Sequence, residues 1–229
     1  MISMLLPTRK RPERFRKSLE SCIDTADDPK DLEFMVYVDN DDDLTQAENI
    51  ELENLKIFRG ERMSGSARMS NYLADRSVGE VVGYWADDIV MLTKGWDSKV
   101  KSLFTGDKIW LPYPTNIKRK KDLAVHGFLS RQAIALLGSM WPPEFASYHS
   151  DKFMWEIYQE LGRLVKMKDV LISHEHPYFG FPQYWDDTYS DNISNKGRMR
   201  LDKKVYKSLK SKGKWVKRLK KHIAKSGGS

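Results

Sequence analysis

The chain has 229 residues, 40% of them hydrophobic, with seven Trp, ten Tyr and a formal net charge of +7. That composition supplies a buried core and excludes a disordered chain. A single cysteine, Cys22, excludes an intramolecular disulfide framework, and no apolar run approaches the ~18 residues of a membrane-spanning helix.

The charge is unevenly spread. Lys196 to Lys225 holds fourteen Lys/Arg and one acid, Asp202, a segment charge of +13; the remaining 25 basic and 31 acidic residues leave −6. An acidic body, 1–195, carrying a basic helical tail, 196–229, is the expected organisation. The first apolar run, Ile2 to Leu6, is too short for a secretory signal and its positive charges follow it, so a cytoplasmic location is expected.

Ile2 to Leu6 reads as a buried strand stopped by Pro7. Lys10 and Arg11 read as surface residues. Pro12 suits the first turn of a helix, and Phe15, Leu19, Cys22 and Ile23 then recur at helical spacing, which makes Cys22 a core residue. Leu32 to Val38 is an apolar strand running into Asp39, Asn40, Asp41, Asp42 and Asp43. The alternating acids resemble the start of an EF-hand loop, but Leu44 and Ile50 stand where that loop needs Gly and Glu, which excludes it. Leu55 to Phe58 is a third strand. Ser66 to Arg76 is helical, with Met69, Tyr72 and Leu73 on one side. Glu80 to Trp85 is a fourth strand that runs straight into Asp87 and Asp88. Gly95 to Phe104 is a helix and Lys108 to Leu111 a fifth strand. The alternation predicts a mostly parallel sheet flanked by helices.

After Pro112 the pattern loosens. A strand-like piece lies near His126-Gly127-Phe128 and a helix over Arg131 to Leu137. Ser150 to Leu161 is helical, and Val165 to Ser173 is a strand followed by His174-Glu175-His176-Pro177. An aromatic, acidic loop spans Tyr178 to Tyr189. In the tail Leu201, Val205, Leu209, Val216, Leu219 and Ile223 mark a basic amphipathic helix or helix pair, broken near Gly213.

Strand-end acids are the main chemical signal. Carboxylates are costly to bury unless something positive satisfies them, and ligands of open α/β sheets bind at the carboxyl ends of strands. A divalent cation with a phosphorylated substrate satisfies both conditions at Asp87 and Asp88; a polar turn is the plainer alternative. Asp39 ends a strand where it can accept hydrogen bonds from a nucleotide base. Pro7, Thr8 and Arg9 follow the first strand at the same edge. Arg62, Ser66, Arg68 and Asn71 flank or open the third-strand helix, where amides and Arg favour phosphate; a solvated helix face is the rival. His174 and His176 form a His-x-His pair suited to a metal. Asp151 opens its helix as a cap or as a general base, with Glu144 a weaker base.

In order and spacing these residues resemble the family 2 type of GT-A nucleotide-sugar glycosyltransferase. The landmarks are Pro7-Thr8-Arg9, Asp39, the helix with Arg68 and Asn71, Ala86-Asp87-Asp88 with Gly95-Trp96, Gly127-Phe128, Asp151 and the late His residues. The resemblance covers Ile2 to Pro177. It implies a GT-A, Rossmann-like α/β fold and a metal-dependent, inverting sugar transfer from a nucleoside-diphosphate sugar, UDP-sugars first, to an acceptor hydroxyl. Thr8, Arg9 and Asp39 would surround the base and ribose. Asp87 and Asp88 would stand in the Asp-x-Asp region that holds Mn²⁺ or Mg²⁺ and the diphosphate. Ala86 replaces the first acid of that motif, which points to Asp88 as the metal ligand, completed by His174 or His176. Asp151 would be the base.

The tail admits three readings: nucleic-acid binding through phosphates, an anionic membrane surface, or docking of its apolar face on the body. A second basic run, Lys118, Arg119, Lys120 and Lys121, falls with His126 and Gly127 where the family places acceptor-side structure. A small, basic, nearly Cys-free transferase is also similar to bacteriophage enzymes that add sugars to hydroxymethylated DNA, which implies a polyanionic acceptor and a host cytoplasm. A surface-polysaccharide or lipid-linked acceptor is the alternative within the family. A nucleotidyltransferase and a non-catalytic nucleic-acid-binding protein are the rival classes.

Overall fold

A computed structural model describes residues 1–42, 50, 52–63, 65–119, 123–194, 196–209 and 213–226. The first half contains β1 (Ile2–Thr8), α1 (Pro12–Thr25), β2 (Leu32–Asp39), β3 (Leu55–Gly60), α2 (Ser66–Ala74), β4 (Val81–Tyr84), β5 (Ile89–Met91) and α3 (Trp96–Ser102). The second contains β6 (Leu111–Asn116), β7 (Phe128–Ser130), α4 (Arg131–Leu137), α5 (Ser150–Glu160), β8 (Leu164–His174), α6 (Asp187–Ser194), α7 (Lys196–Ser208) and α8 (Gly213–Lys225).

The main sheet has the order β3-β2-β1-β4-β7. Its first four strands are parallel and β7 is antiparallel. β1 and β2 are covered on both faces, so both read as nearly continuous apolar runs. Their side chains alternate between two cores with the period of two that a pleated strand imposes. Leu5, Met35, Tyr37 and Val82 join the core under α2, α4, α5 and α8. Ile2, Met4, Leu6, Phe34, Val36 and Val38 join the core on the α1 and α3 side. Phe15, Leu19 and Cys22 of α1 are fully buried there. At Gly83 in β4 a Cβ would sit 2.7 Å from the Phe128 ring, so the strand leaves that position bare for the ring to lie across it.

A smaller sheet, β5-β8-β6, stands beyond the end of β4. It differs from the sequence expectation in two ways. The fifth predicted strand, Lys108 to Leu111, lies further on as β6, which contains Pro112 and Pro114. β6 is an edge strand paired with β8 alone, so two prolines spaced by two both direct their missing donors away from the partner. The three-residue strand β5 pairs with the end of β8, too short a run to show a period of its own.

The tail folds back on the body. Trp215, Val216 and Leu219 of α8 are buried in the same core as α4 and α5, and the Trp215 ring meets Phe153 edge-on at 5.2 Å. Asp202, the one acid of the tail, is 2% exposed. It accepts from the amides of Ala146 (3.0 Å), Ser147 (2.9 Å) and Tyr148 (2.8 Å). Tyr206 donates to the Glu156 carboxylate at 2.6 Å. Of the predicted apolar face, Val205, Leu209, Val216, Leu219 and Ile223 therefore turn inward, whereas Leu201 is 62% exposed, contrary to its sequence reading. Among the described residues no helix is long and apolar enough to cross a membrane.

Glu33 ties four segments at the amino-terminal end of the sheet. It accepts from Ser3 Oγ at 2.6 Å, Lys56 Nζ at 2.7 Å and the Val78 amide at 2.9 Å. Burial penalises its charge, but Lys56 and these hydrogen bonds hold the carboxyl below its ordinary value. A depressed carboxyl contributes stability above its unfolded value, and that contribution is lost as pH falls through the folded one. Glu33→Gln is expected to cost about 2 kcal/mol at neutral pH and to flatten the acid limb of the stability curve, both read by urea unfolding across pH. Asp202→Ala leaves three buried amides without their acceptor and is expected to cost about 3 kcal/mol in the same measurement.

Candidate functional site

The carboxyl ends of β1, β2 and β4 bring Thr8, Asp39 and the Asp87-Asp88 turn to one edge. The turn is held on three sides. The Trp85 amide donates to Leu5 O (3.0 Å), Ser18 Oγ of α1 donates to Ala86 O (2.9 Å), and the Glu175 amide donates to Asp88 O (2.7 Å). Ile89 pairs with His174 across β5 and β8, which places the end of β8 beside Asp88.

Both carboxylates are buried, Asp87 at 5% and Asp88 at 8% exposure. Asp87 accepts from Thr8 Oγ1 at 2.8 Å and Arg11 Nη1 at 3.1 Å. Asp88 Oδ2 lies 3.1 Å from His174 Nε2 and accepts from Tyr189 OH at 2.8 Å, with Arg14 Nη2 at 3.8 Å. Burial raises the Asp87 carboxyl; Arg11 offsets part of this, and the Asp88 charge adds to it, leaving Asp87 above its ordinary value. Burial also works on Asp88, but His174 and the Tyr189 hydroxyl outweigh it and hold that carboxyl below its ordinary value. Asp88 is thus the member of the pair poised to stay ionised.

Arg11 overturns its sequence reading as a surface residue. It is 9% exposed and carries a bidentate pair to Asp186, at 2.6 and 2.8 Å, besides its contact with Asp87. Arg14, one helical turn on, donates to Glu175 O and Tyr189 OH, both at 2.9 Å. Its Nε and Nη1 are buried without a hydrogen-bond acceptor. The predicted aromatic loop closes over the site, and its last residues begin α6. Asp186 and Tyr189 lock it to the arginines, and the Arg11 guanidinium lies 4.0 Å above the Tyr189 ring. Arg11, Arg14, Asp186 and Tyr189 were missed in the sequence. The available signal was Arg11, Arg14 and Ser18 at helical spacing, Arg11 just before α1, on a face adjoining its apolar stripe.

The nucleotide-side candidates divide. Arg9 bridges Asp39 at 2.8 Å and Asp41 at 2.6 Å. Burial raises Asp39 above its ordinary value against the pull of Arg9, whereas the Arg9 hydrogen bond holds exposed Asp41 down to about 2. Pro7 is half-buried beside them. Arg62 and Arg68 are exposed. Asn71 is committed elsewhere: its amide donates to Trp141 O at 2.9 Å and accepts from the Trp141 amide at 2.8 Å. The first amides of α2 are also taken, Ser66 by Ser147 Oγ and Ala67 by Ala146 O. Gly65 opens this helix at φ +109°, where a Cβ would strike Ala146 O. Asp43, and Lys120 and Lys121 of the second basic run, lie outside the described residues.

The opposite wall is aromatic. Tyr84 stacks on His126 at 5.6 Å, and His126 meets His174 edge-on at 5.1 Å. Both His126 ring nitrogens are buried without partners, and burial pushes the ring down to about 3, so it is neutral. The Gly127 carbonyl accepts from the Tyr84 amide at 3.1 Å. Burial raises Tyr84 to about 12, with the charges of Asp88, Asp151 and Asp87 adding. Asp151 is half-buried and accepts from the Lys152 amide at 2.7 Å. Burial raises it above its ordinary value, opposed by Lys152, Arg119 and His149. Glu144 is exposed. Lys118 and Arg119 lie against the aromatic loop, 5.5 Å above Phe181 and 5.9 Å above Phe179.

For a divalent ion the donor set is partial. Among the described residues no group of three or more His, Cys, Asp or Glu is arranged to hold a metal. Asp88 and His174 fit as two donors. Asp88 Oδ1 and His174 Nδ1 are buried without partners. Asp88 Oδ2 and His174 Nε2 are hydrogen-bonded to each other at 3.1 Å, so the two side chains already meet where a cation would be held. His176 faces a different neighbour: its Nδ1 accepts from the Tyr178 amide at 3.2 Å and its ring packs on Tyr189 at 4.6 Å.

No family model matches the sequence, and no curated protein matches it. Solved structures match it in three dimensions. The mannosyltransferase PcManGT from Pyrobaculum calidifontis, in complex with GDP-Man and Mn²⁺, aligns with a TM-score of 0.65 at 15% identity, covering 100% of this chain and 75% of that one. S. aureus TarS aligns with a TM-score of 0.61 at 14% identity over 75% of this chain, and its 1-349 portion with UDP-GlcNAc at 0.62 and 14% over 98%. The chain spans 36% of the former and 61% of TarS 1-349 with UDP. At these identities the likeness is one of fold, and the chain has the mostly parallel, Rossmann-like GT-A fold of those proteins.

Proposed function

We propose that the chain is a metal-dependent glycosyltransferase. It takes a sugar from a nucleoside-diphosphate sugar, UDP-sugars first, and passes it with inversion to a hydroxyl of a polyanionic acceptor, hydroxymethylated DNA foremost. The observation that carries this reading is the buried Asp87-Asp88 pair at the carboxyl edge of a GT-A sheet, with the unpartnered Asp88 Oδ1 and the unpartnered donors of Arg14 beside it. Two proteins of the same fold contain UDP-GlcNAc and GDP-Man with Mn²⁺.

In this reading Pro7, Thr8, Arg9 and Asp39 line the base and ribose, and Arg62 and Arg68 supply positive charge on that side. Asp88 and His174 would hold the cation, with His176 packed on Tyr189. A bound Mn²⁺ or Mg²⁺ would supply Lewis-acid neutralisation of the diphosphate. Arg14 and Arg11 add fixed positive charge where the leaving diphosphate gains its own. Asp151 takes the proton of the acceptor hydroxyl while its oxygen bonds to the anomeric carbon and the bond to the diphosphate breaks. Burial suits Asp151 to that task, since a raised carboxyl is a stronger base. The closed aromatic loop keeps water from the anomeric carbon. Lys118, Arg119, His126 and Gly127 form the acceptor side.

Incubation with a panel of UDP- and GDP-sugars and Mn²⁺ is expected to release nucleoside diphosphate, and chelation of the metal to stop it. Asp88→Asn is expected to reduce release to background with the circular-dichroism spectrum retained; wild-type turnover in that variant rules out the metal role. Asp151→Asn is expected to bind donor normally and to slow transfer about 10²- to 10⁴-fold, measured as sugar incorporated into acceptor.

A further inference from the structure

The outward faces of α7 and α8 carry charge that the body does not neutralise. At 100° per residue, Lys214, Lys217, Arg218, Lys221 and Lys225 fall on one stripe of α8, opposite Trp215, Val216 and Leu219. Arg200, Lys203, Lys204 and Lys207 form a second stripe on α7. All nine are exposed. The one acid of the two helices, Asp202, is buried with both oxygens in hydrogen bonds to backbone amides. The five cations of α8 extend over about 16 Å.

We propose that this surface docks duplex nucleic acid through its phosphates, without reading sequence. The proposal deepens the acceptor part of the function above and rests on it for the identity of the acceptor; the docking itself stands on the charge and packing of the tail. A linear row of cations suits a linear polyanion, because B-form DNA carries one charge per ~1.7 Å of axis. The stripes form no convergent pocket for a small anion. An interfacial membrane helix needs its apolar face for the acyl boundary; on α8 that face is buried against Phe153 and its neighbours, and α7 leaves only Met199 and Leu201 exposed, too little apolar surface for that role. Binders of single strands present aromatic platforms. On these helices Trp215 is buried and Tyr206 is held by Glu156. The remaining partner chemistry is an intact duplex held along its backbone.

Fluorescence anisotropy of a short labelled DNA duplex against the full chain, over a salt series, tests this. Five phosphate contacts predict a slope of log K against log salt near −4.5, from about −0.9 per contact. The variant Lys217→Gln/Arg218→Gln/Lys221→Gln, with a wild-type thermal unfolding curve, is expected to bind at least tenfold more weakly and to lose about three units of slope. Absence of binding at low salt, unchanged binding by the triple variant, equal or tighter binding of a single strand, or binding to anionic vesicles in place of the duplex would each overturn the proposal. Donor hydrolysis without acceptor is read in parallel: duplex binding without hydrolysis sinks the transferase reading and leaves the surface standing, and hydrolysis without duplex binding does the reverse.

Discussion

Two adjacent carboxylates buried at the end of β4 are the constraint around which the carboxyl edge of this molecule is built. An ion removed from water loses several kcal/mol of hydration even after relaxation, so Asp87 and Asp88 demand compensation at short range. It arrives from four places: Thr8 at the end of β1, Arg11 and Arg14 in the first turns of α1, His174 at the end of β8, and Tyr189 in α6. Each partner depends on the others. Arg11 is itself buried and needs Asp186, and Arg14 needs the Glu175 carbonyl. The late loop, distant in sequence, is thereby drawn across the site as its cover.

Compensation is incomplete in an informative way. Asp88 Oδ1, His174 Nδ1, both His126 nitrogens and two Arg14 nitrogens are buried without a hydrogen bond. Such groups are uncommon in folded proteins because each forfeits a hydrogen bond it had in water. Here they include Asp88 itself, its partner His174 and Arg14 beside it, which is the observation behind the ligand site proposed above. A GT-A sheet presents its strand ends at this point, so fold and unsatisfied chemistry coincide.

The tail shows the same economy. Its single acid is spent on three backbone amides of the loop before α5, and its apolar residues thicken the core beneath α4 and α5. The cations of its two outward stripes are left pointing to solvent. A segment that looks detachable by composition is therefore part of the packed body, and only its electrostatic face is open for interaction.

Much of the fold was legible in the sequence, because buried parallel strands read as apolar runs and helices as a 3.6 period. β2, α4, α5 and β8 all stand within one residue of their expected bounds, whereas β1 is not stopped by Pro7 and runs two residues further, to Thr8. β6 was displaced because its prolines mimic a strand breaker when the edge position is unknown, and β5 was too short to show a pattern. In the site, Asp39, Asp87, Asp88 and Asp151 were visible as acids at element ends. Arg11 and Arg14 were not, because an arginine on the polar side of a helix looks the same whether water or a buried carboxylate faces it. The sequence by itself determined the alternation of strands and helices, the strand-end acids and the charge of the tail, since these are local in the chain. Tertiary structure alone decided that His174 rather than His176 meets Asp88, that Asn71 serves Trp141, and that α8 hides its apolar face while Leu201 of α7 stays exposed. Those are contacts between segments far apart in the chain, and their geometry is set by packing that no local pattern encodes.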